Sequence, residues 1–418
     1  MLPMTTSCSN PAAPALPARP ALPLLAASTA IGSLGLAAGG TAAALLAVET
    51  TGRDAAAGLP LGALAAGQAV ASLLVARLTS RAGRGAGLTA GYAIGVLGAL
   101  AVITAAVLGS FPIMLAGSLL LGGANAAIFL SRYAAADIGG PQARGRALGT
   151  VLFATTLGTV AGPALLVPTG RLAESLGLPR LTGLYLVAVT AFATAALVVA
   201  GLSRSGLAGL GRDSRVAGAG GPGQPVTRGQ LAAALRPAPV RAALMVLGGT
   251  NLIMVAIMAV APVQLLHHGH DLGFVGLAVS LHVAAMFAPS PVTGWLADRV
   301  GAAPVAAAGA VLLILAGVGG LDAHPGGPDM VALLIVLGLG WNCGVVGGSA
   351  LLAASVPAAL RPRSEAIGEA SMGLAAAAGA PAAGLVVALG GFTTTWVAGA
   401  LVGAVILAGT GRRSPVRR

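Results

Sequence analysis

Residues Gly294-Trp-Leu-Ala-Asp-Arg-Val-Gly301 form a polar turn between two long apolar runs, and the turn carries Asp298 and Arg299. Apolar runs of about 20 residues recur along almost the whole chain, and each is long enough as a helix to cross about 30 Å of hydrocarbon. Of the 418 residues, 56% are hydrophobic and only 8% are charged, whereas soluble domains carry about 25% charged residues. The chain is therefore expected to be a multi-pass membrane protein surrounded by the lipid bilayer.

The net charge is +12, and all 23 basic residues are arginines. Almost all of them lie between apolar runs, which indicates membrane topology rather than nucleic-acid binding. The absence of lysine beside heavy use of alanine and glycine is typical of a GC-rich bacterial genome. Cys8 lies in the N-terminal tail and Cys343 in an apolar run, so they do not indicate a disulfide framework.

Twelve apolar runs are predicted to span the membrane, six on either side of a polar break. The break, residues 203–241, contains six arginines and Gly-Ala-Gly-Gly-Pro-Gly-Gln-Pro, and it is interpreted as a cytoplasmic linker. It separates bundles at 21–202 and 242–408, and it leaves a disordered tail at 1–20 and a basic tail at 409–418. The predicted spans are Leu22–Val48, Gly58–Val75, Leu88–Leu108, Ile113–Leu130, Leu148–Val167, Leu181–Leu202, Ala242–Leu266, Leu272–Val292, Ala303–Leu321, Met330–Ala354, Ala366–Leu389 and Thr393–Ala408.

Arginine is unevenly distributed between the two sides of these spans. The loops after odd-numbered spans carry only Arg53, Arg171 and Arg180, whereas the other loops, the linker and the tails carry twenty arginines. Because cytoplasmic loops carry the excess of basic residues, both termini and the linker are predicted to be cytoplasmic. The expected location is the plasma membrane of a bacterium.

The polar turn has a partial copy in the first half of the chain. Ala76-Arg-Leu-Thr-Ser-Arg-Ala-Gly83 aligns with it at an offset of 218 residues, and Gly162-Pro163 aligns with Ala380-Pro381 at the same offset. Two landmarks in one register indicate that each six-helix half is a structural copy of the other. Transporters built from such repeats place their central site where the repeats meet.

From Leu22 to Ala408 the chain resembles a twelve-helix, drug-efflux-like bacterial member of the major facilitator superfamily. The turn matches the family's cytoplasmic loop signature G-x-L-A-D-R-x-G, and Gly158-Thr-Val-Ala-Gly162-Pro163 resembles the front of its fifth-helix antiporter signature, G-x-x-x-G-P. Leu166 and Val167 stand in place of that signature's closing glycines. The resemblance implies an all-α fold of two pseudo-symmetric six-helix bundles and secondary active transport by alternating access. Two further segments resemble such members: Arg132-Tyr-Ala-Ala-Ala-Asp137 and Ser290-Pro-Val-Thr-Gly-Trp295.

The resemblance also implies that Asp298 belongs to a conformational latch. In the family the loop aspartate engages the facing helix of the other half, which here is the start of the fifth helix, where the helix dipole favours negative charge. The alternative is a topology-setting loop with solvated charges, because exposed ion pairs contribute only about 0–1 kcal/mol. The other predicted members of the latch are Gly294, Arg299, Gly301, Arg144 and Arg146.

The first-half copy carries Ser80 where the signature has aspartate. The eleventh helix, its expected neighbour, opens with Glu365 and Glu369. A charge-swapped latch is therefore predicted, in which these carboxylates face Arg81 and Arg84. The alternative is that the two glutamates interact only with the positive end of their own helix.

Titratable groups are scarce inside the predicted spans. Glu369 lies about one turn from the cytoplasmic end of its span and His282 lies close to mid-bilayer, so both are candidate proton-coupling groups. For His282 the favoured interpretation is a neutral imidazole bonded to a neighbouring helix. Many proton antiporters of the family carry a carboxylate in the first helix, which the run Leu22–Val48 lacks.

The substrate cavity is expected between the halves near the midplane. The candidate residues can also act as helix–helix packing: Gln68, Asn125, Asn251, Met254, Met258, Met286, Trp341 and Asn342. Because no carboxylate lies deep among them, neutral or weakly charged amphiphiles are the expected substrates. Gly158, Gly162 and Pro163 are expected to bend the fifth helix, as an antiporter seal or as an ordinary kink.

The tract His267-His268-Gly-His270-Asp271 is interpreted as a solvated loop rather than a metal site. No lysine is present to complete a P-loop, so ATP-driven transport is not expected. No cofactor and no metal are predicted. The predicted function is proton-coupled export of small amphiphilic organic molecules by a monomer. The alternatives are uptake by symport or facilitation, a membrane enzyme, and a non-transporting membrane sensor.

Overall fold

The computed structural model describes residues 21–53, 56, 58–204, 227–322 and 328–411. Within these ranges the chain is helical and contains no β-strand. The predicted tail at 1–20, linker residues 205–226 and residues 412–418 lie outside the described ranges. The helices are α1 Ala21–Thr51, α2 Leu59–Ala82, α3 Arg84–Leu108, α4 Phe111–Ala164, α5 Leu166–Ser175, α6 Gly183–Arg204, α7 Arg228–Leu235, α8 Ala238–His267, α9 Leu272–Phe287, α10 Ser290–Val300, α11 Ala302–Asp322, α12 Pro328–Ser355 and α13 Arg361–Gly411.

Eleven helical segments in the described ranges are long and apolar enough to cross a membrane. The longest, Phe111–Thr159, has 49 residues and would be about 73 Å long as one helix, more than twice the thickness of a bilayer core. Non-helical dihedral angles at Gly140 and Ala143 divide it into a first arm, 111–139, and a second arm, 144–164. Gly391 divides α13 into two arms in the same way. With α4 counted as two crossings, the described chain has the twelve spans that the hydropathy pattern predicts.

The spans form two bundles that meet along one interface, which confirms the predicted fold class. Tyr92, Tyr185 and Phe192 lie in the core of the first bundle, and Trp396 lies in the core of the second. Because lipid tails are as apolar as these side chains, close packing rather than hydrophobic burial holds such bundles together. A third group, the interface cluster, joins the two bundles: Leu152, Met286, Phe287, Trp341 and Met372, with Phe129 packed against it.

The sequence repeat is visible in the backbone. Gly83 ends α2 with φ 96° and ψ 165°, and Gly301 ends α10 with φ 98° and ψ 155°. Each of these amides donates to a carbonyl four residues earlier, of Thr79 and of Ala297. Only glycine adopts such a positive φ without steric cost, which explains why both copies of the turn keep this residue.

Several helices extend beyond the predicted spans. The polar turn at 294–301 is helical as far as Val300, so only Gly301 leaves the helix. Arg84, predicted to lie in a loop, is the first residue of α3. The predicted linker contains α7, where Thr227 and Gln230 form a capping box, and α8 begins at Ala238 rather than at Ala242. Hydropathy alone misses these turns because polar side chains cap them or pair across the bundle.

Candidate transport site

Charged side chains from both halves meet at one end of the bundle, where α2 and α10 end, α4 bends and α13 begins. We call it the arginine-rich end, and it holds two separate connections between the halves. The first, the amide joint, comprises Asp298, Gly294, Gly145, Arg146 and Gly149. The second, the arginine joint, consists of arginine–carboxylate pairs.

In the amide joint, a carboxylate caps a helix of the other half. Asp298 accepts hydrogen bonds from the backbone N–H groups of Gly145, at 2.6 Å, and Arg146, at 2.9 Å. These amides open the second arm of α4, where backbone N–H groups have no partner within the helix and the dipole is positive. The side chain of Arg146 adds an ion pair with Asp298 at 3.6 Å, although that side chain is 57% exposed.

Glycines allow this close approach. A methyl group added at Gly294 would overlap the carbonyl oxygen of Gly145, and one added at Gly149 would overlap the carbonyl oxygen of Ser290. The backbones of α10 and the second arm of α4 therefore touch directly over one helical turn. Small residues at such positions are what permit membrane helices to pack this closely.

Three predicted members of this latch form no described bond with Asp298. Arg144 is half-buried and forms no ion pair with a described residue, and Arg299 is exposed with its guanidinium carbon 5.2 Å from the ring centroid of Trp295. Gly301 ends α10. Asp298 therefore contacts mainly backbone, which a search for complementary side-chain charges does not reveal.

The arginine joint comprises Arg84, Asp137, Glu365 and Arg361, together with the deeper pair of Arg132 and Glu369. The guanidinium of Arg84 donates to both carboxylate oxygens of Glu365, at 2.5 and 3.1 Å, and to Asp137 at 2.7 Å. Arg361 lies 3.6 Å from Asp137. Arg84 and Glu365 are both buried, so a bidentate pair compensates charges that the bilayer cannot solvate.

A second rung of the joint lies one helical turn deeper. Arg132 and Glu369 are both 0% exposed and form an ion pair across the halves. Arg132 also donates to the hydroxyl of Ser349 at 2.9 Å and to the carbonyl of Phe129 at 3.1 Å. The ring centroid of Tyr133 lies 4.8 Å from its guanidinium carbon.

These pairings differ from the predicted charge-swapped latch in two places. Glu369 pairs with Arg132 instead of Arg81 or Arg84, and Arg81 is exposed without an ion pair to a described residue. Ser80 does not substitute for the missing aspartate, because its hydroxyl donates to the carbonyl of Arg77 at 2.9 Å. Arg84 facing Glu365 is the contact that the prediction describes.

Arg132 and Asp137 are charged residues of the arginine joint that the predicted spans leave in the loop between the fourth and fifth spans. The predicted fourth span ends at Leu130, but the first arm of α4 continues to residue 139. The run of three alanines between Arg132 and Asp137 was the available signal, since alanine favours helix.

The polar candidates for the cavity are engaged in hydrogen bonds that hold helices together. Asn125 donates to Gln68 at 2.8 Å, Asn251 donates to the carbonyl of Met372 at 2.8 Å, and Trp341 donates to Asn251 at 3.0 Å. The pair of Gln68 and Asn125 joins α2 to α4 within the first half, whereas Trp341 belongs to the interface cluster and bonds Asn251.

The remaining candidates divide in a similar way. Asn342 joins α12 to α9 and α10 by donating to the carbonyl of Met286 and the hydroxyl of Ser290, each at 2.7 Å. Met286 belongs to the interface cluster and Met254 packs against it, whereas Met258 packs in the core of the second half. The structure therefore assembles an apolar, sulfur- and aromatic-rich surface at the interface.

His282 is buried and bonded within its own half. Its Nδ1 lies 2.7 Å from the carbonyl oxygen of Leu334, which belongs to α12. This contact matches the favoured interpretation of a histidine that ties two helices together. Among the described residues, no helix of the first half forms a hydrogen bond with this ring.

The fifth-helix glycines lie against α1. A methyl group at Gly158 would overlap the carbonyl of Ala30, and one at Gly162 would lie 2.7 Å from the side chain of Ala37. Just after Pro163 the helix is interrupted at Leu165. The segment thus combines close packing with a break in the helix, as proline and glycine favour.

The histidine tract forms the turn between α8 and α9. Asp271 caps α9 by accepting from the N–H of Phe274 at 2.7 Å, and the ring of His270 stacks on Phe274 with centroids 4.1 Å apart. His268 contacts the carbonyl of Gln264 at 2.8 Å. Local capping and stacking thus account for three of its side chains.

Comparison with known proteins places this architecture in a family. The chain is 38% identical over 387 residues to the uncharacterized MFS-type transporter YdeG of Bacillus subtilis, which covers 91% of this chain and 87% of YdeG. The chain belongs to the major facilitator superfamily. The family model described as Major Facilitator Superfamily matches residues 242–417. YddS of the same organism, another uncharacterized MFS-type transporter, is 36% identical over 388 residues, again 91% of this chain and 87% of the relative.

More distant superfamily members share the fold. The riboflavin transporter RfnT of Brucella anthropi is 37% identical over 103 residues, 24% of this chain and 25% of that protein. The E. coli fucose:proton symporter FucP superposes with a TM-score of 0.73 at 16% identity, covering 94% of this chain and 99% of that one. The human organic anion transporter MFSD10 gives 0.71 at 15% identity, covering 94% and 100%. At these identities the solved structures establish the fold alone.

Proposed function

We propose that this superfamily transporter exports small amphiphilic organic compounds by alternating access, driven by proton entry. Its arginine-rich end faces the bacterial cytoplasm, and it works as a monomer. The observation that carries the proposal is the concentration of cross-half contacts at that end. Two rungs of buried ion pairs and a capped helix join the halves there.

Such contacts suit a gate because they are either all formed, with the halves together at this end, or all broken, with the halves apart. Five arginine–carboxylate pairs join described side chains at the arginine-rich end, and four of them cross between the halves. When the halves rock apart, all four must separate together. A set of bonds that forms and breaks as one unit is the physical requirement for a two-state gate.

The distribution of arginine supports the orientation. By the predicted spans, twenty of the 23 arginines fall on the side that carries the joints, and basic residues accumulate on the cytoplasmic side of membrane proteins. In this orientation the conformation described above is closed to the cytoplasm. A substrate leaving the cell would dissociate from this state towards the outside.

The interface cluster supports the substrate class. Met286, Phe287 and Trp341 are polarizable, apolar side chains packed at the interface, and Asn251 adds an amide that accepts from the Trp341 indole. The nearest buried carboxylate, Glu369, is already neutralised by Arg132. Neutral or weakly charged amphiphiles fit such a surface better than strongly cationic compounds do.

Counterflow in proteoliposomes tests the proposal, with a panel of labelled amphiphiles and an imposed pH gradient. We expect exchange of at least one neutral amphiphile and an increase in its net movement when protons flow in the opposite direction. In cells, expression should lower accumulation of that compound until the proton gradient is collapsed. Raised accumulation would instead establish uptake, and saturable binding without counterflow would establish a sensor.

Two tryptophans provide a matched pair of variants. Trp341→Phe removes the indole donor at the interface, and Trp396→Phe makes the same change in the core of the second half, where Trp396 is equally buried. We expect the first to change the apparent affinity several-fold and the second to leave it unaltered. Equal effects of both variants would place the substrate elsewhere.

A further inference from the structure

Two glutamates one helical turn apart form a ladder between the halves. Glu365 and Glu369 lie on the same face of α13 and pair respectively with Arg84 and Arg132 of the first half. The shallow rung, Arg84 with Glu365, has additional charged neighbours in Asp137 and Arg361. The deep rung is a single arginine with a single carboxylate.

The deep rung is also incompletely bonded. Glu365 uses both of its carboxylate oxygens to accept from Arg84. Glu369 accepts from Arg132 through Oε1 only, and its buried Oε2 has no hydrogen-bond partner among the described residues. A buried carboxylate oxygen without a donor is a favourable place for a proton, because protonation converts an acceptor that lacks a partner into a neutral group.

The charged and titratable groups facing Glu369 are few. Arg132 approaches from α4 with its guanidinium over the ring of Tyr133, and the Tyr133 hydroxyl lies 3.7 Å from the position that a Cβ atom would take at Gly368. Glu365 precedes it by one turn on α13 and is itself neutralised by Arg84. From α8 and α12 the nearest polar groups are uncharged: Asn251, which bonds to the carbonyl of Met372, and Ser349, which bonds to Arg132.

We propose that Glu369 is the proton-binding group whose neutralisation releases the arginine-rich end, with Arg132 as its fixed counter-ion. The proposal rests on the transport function proposed above. A hydronium ion transfers its proton to Oε2, so one O–H bond of the hydronium breaks, one O–H bond forms at Oε2, and a water molecule is left. The carboxylate loses its charge while Arg132 keeps its own. An arginine left without a counter-ion in a dry interface strongly destabilises the closed arrangement, so the halves separate and Arg132 becomes hydrated.

His282 is a poorer candidate for this role. Its one described hydrogen bond, to Leu334, joins two helices of the second half. Loss or gain of a proton there leaves the contacts between the halves unchanged. A coupling group has to bind its proton with different affinity in the two global states, which Glu369 satisfies because its partner lies across the interface.

Distance measurements between spin labels test the proposal directly. Arg81 and Ala359 are exposed at the arginine-rich end, one on each half, and can be replaced by cysteine after Cys8 and Cys343 are changed to serine. In nanodiscs we expect a short distance at about pH 8 and a growing population of long distances as the pH is lowered to about 4, a span that includes the ordinary titration of glutamate near about 4.3.

Substitutions separate the proton from the packing. Glu369→Gln should raise the long-distance population more than about tenfold at every pH, because it leaves Arg132 unpaired. Glu369→Asp should keep a pH dependence. The double variant Arg132→Gln/Glu369→Gln removes both charges and should return the short distance without any pH dependence. Glu174→Gln, an exposed carboxylate of α5, is the matched control and should behave as the parent does.

The proposal is overturned if the parent distance does not change with pH, or if Glu369→Gln keeps the parent pH dependence. Counterflow measured on the same samples keeps it distinct from the transport function. Counterflow with a pH-independent gate would leave the transporter standing and remove Glu369 from coupling. If the label distance depends on pH but no compound shows counterflow, the role of Glu369 at the arginine-rich end is retained and the proposed export is wrong.

Discussion

The two joints of the arginine-rich end connect the same two halves by different chemistry. In the amide joint a single carboxylate, Asp298, binds backbone N–H groups, and glycines bring the two backbones into contact. In the arginine joint, long side chains connect the helices, and buried charges compensate each other. The repeat therefore preserves the position of a connection between the halves but not its chemistry. Where the aspartate is lost at Ser80, side chains from α3 and α13 form the connection instead.

The difference predicts unequal sensitivity to substitution. A buried ion pair is vulnerable to the loss of either charge, because the remaining charge has no solvent. A backbone-capped carboxylate at the rim of the bundle is less vulnerable, since water can replace part of what is lost. The steric fit of the amide joint should matter more than its charge.

The largest effect is expected from Arg84→Gln, which leaves Glu365 buried without its bidentate partner. Loss of one member of a buried pair costs about 3–5 kcal/mol, so closure at the arginine-rich end should become at least about a hundredfold less favourable. The measurement is the label distance across the joint together with counterflow. Arg77→Gln is the control, since Arg77 is exposed on α2 without an ion pair to a described residue. Exchange of the charges, Arg84→Glu with Glu365→Arg, should partly restore closure.

A smaller steric effect is expected at the amide joint. Gly294→Ala places a methyl group against the carbonyl of Gly145, and overpacking of this kind costs about 1–3 kcal/mol. Closure should weaken by roughly ten- to a hundredfold while the protein still folds. Gly276→Ala on α9 is the control, because nothing lies within 4 Å of a methyl group there. If both variants behave alike, backbone contact does not hold this joint.

Removing the charge of Asp298 should have a milder effect. Asp298→Asn keeps one oxygen that can accept from a backbone N–H but loses the other hydrogen bond, worth about 0.5–1.5 kcal/mol, and the interaction with the helix dipole, worth about 0.3–1 kcal/mol. Counterflow should fall by less than about twentyfold, because water at the rim replaces part of what is lost. Asp329→Asn, an exposed aspartate in the first turn of α12, is the matched control. A loss as large as that of Arg84→Gln would contradict the proposed difference between the joints.

The smallest effect is expected from Arg146→Gln. Its side chain is 57% exposed and lies 3.6 Å from Asp298, so the pair contributes about 0–1 kcal/mol and is screened by salt. Transport at low ionic strength should fall less than about threefold, and the difference from the parent should disappear in high salt. A salt-independent defect would assign Arg146 a role beyond this ion pair.

The sequence by itself determined the number of spans, the repeat and the end of the molecule at which charge collects. Those properties follow from local composition, because a long apolar run crosses the bilayer whichever helices it packs against. The glycines that end α2 and α10 also follow from sequence, since a positive φ is a local requirement.

Only the tertiary structure decided most of the pairings. Arg84 facing Glu365, 281 residues away, is a contact that the charge-swapped prediction describes, but nothing in the sequence pairs Arg132 with Glu369. Asp298 binds backbone amides as well as the side chain of Arg146, and Arg132 lies buried in α4, where Glu369 neutralises it, rather than in the predicted loop. A charge is tolerated inside a membrane protein only with its partner, and that partner is chosen by the packing of two halves rather than by neighbours in the chain.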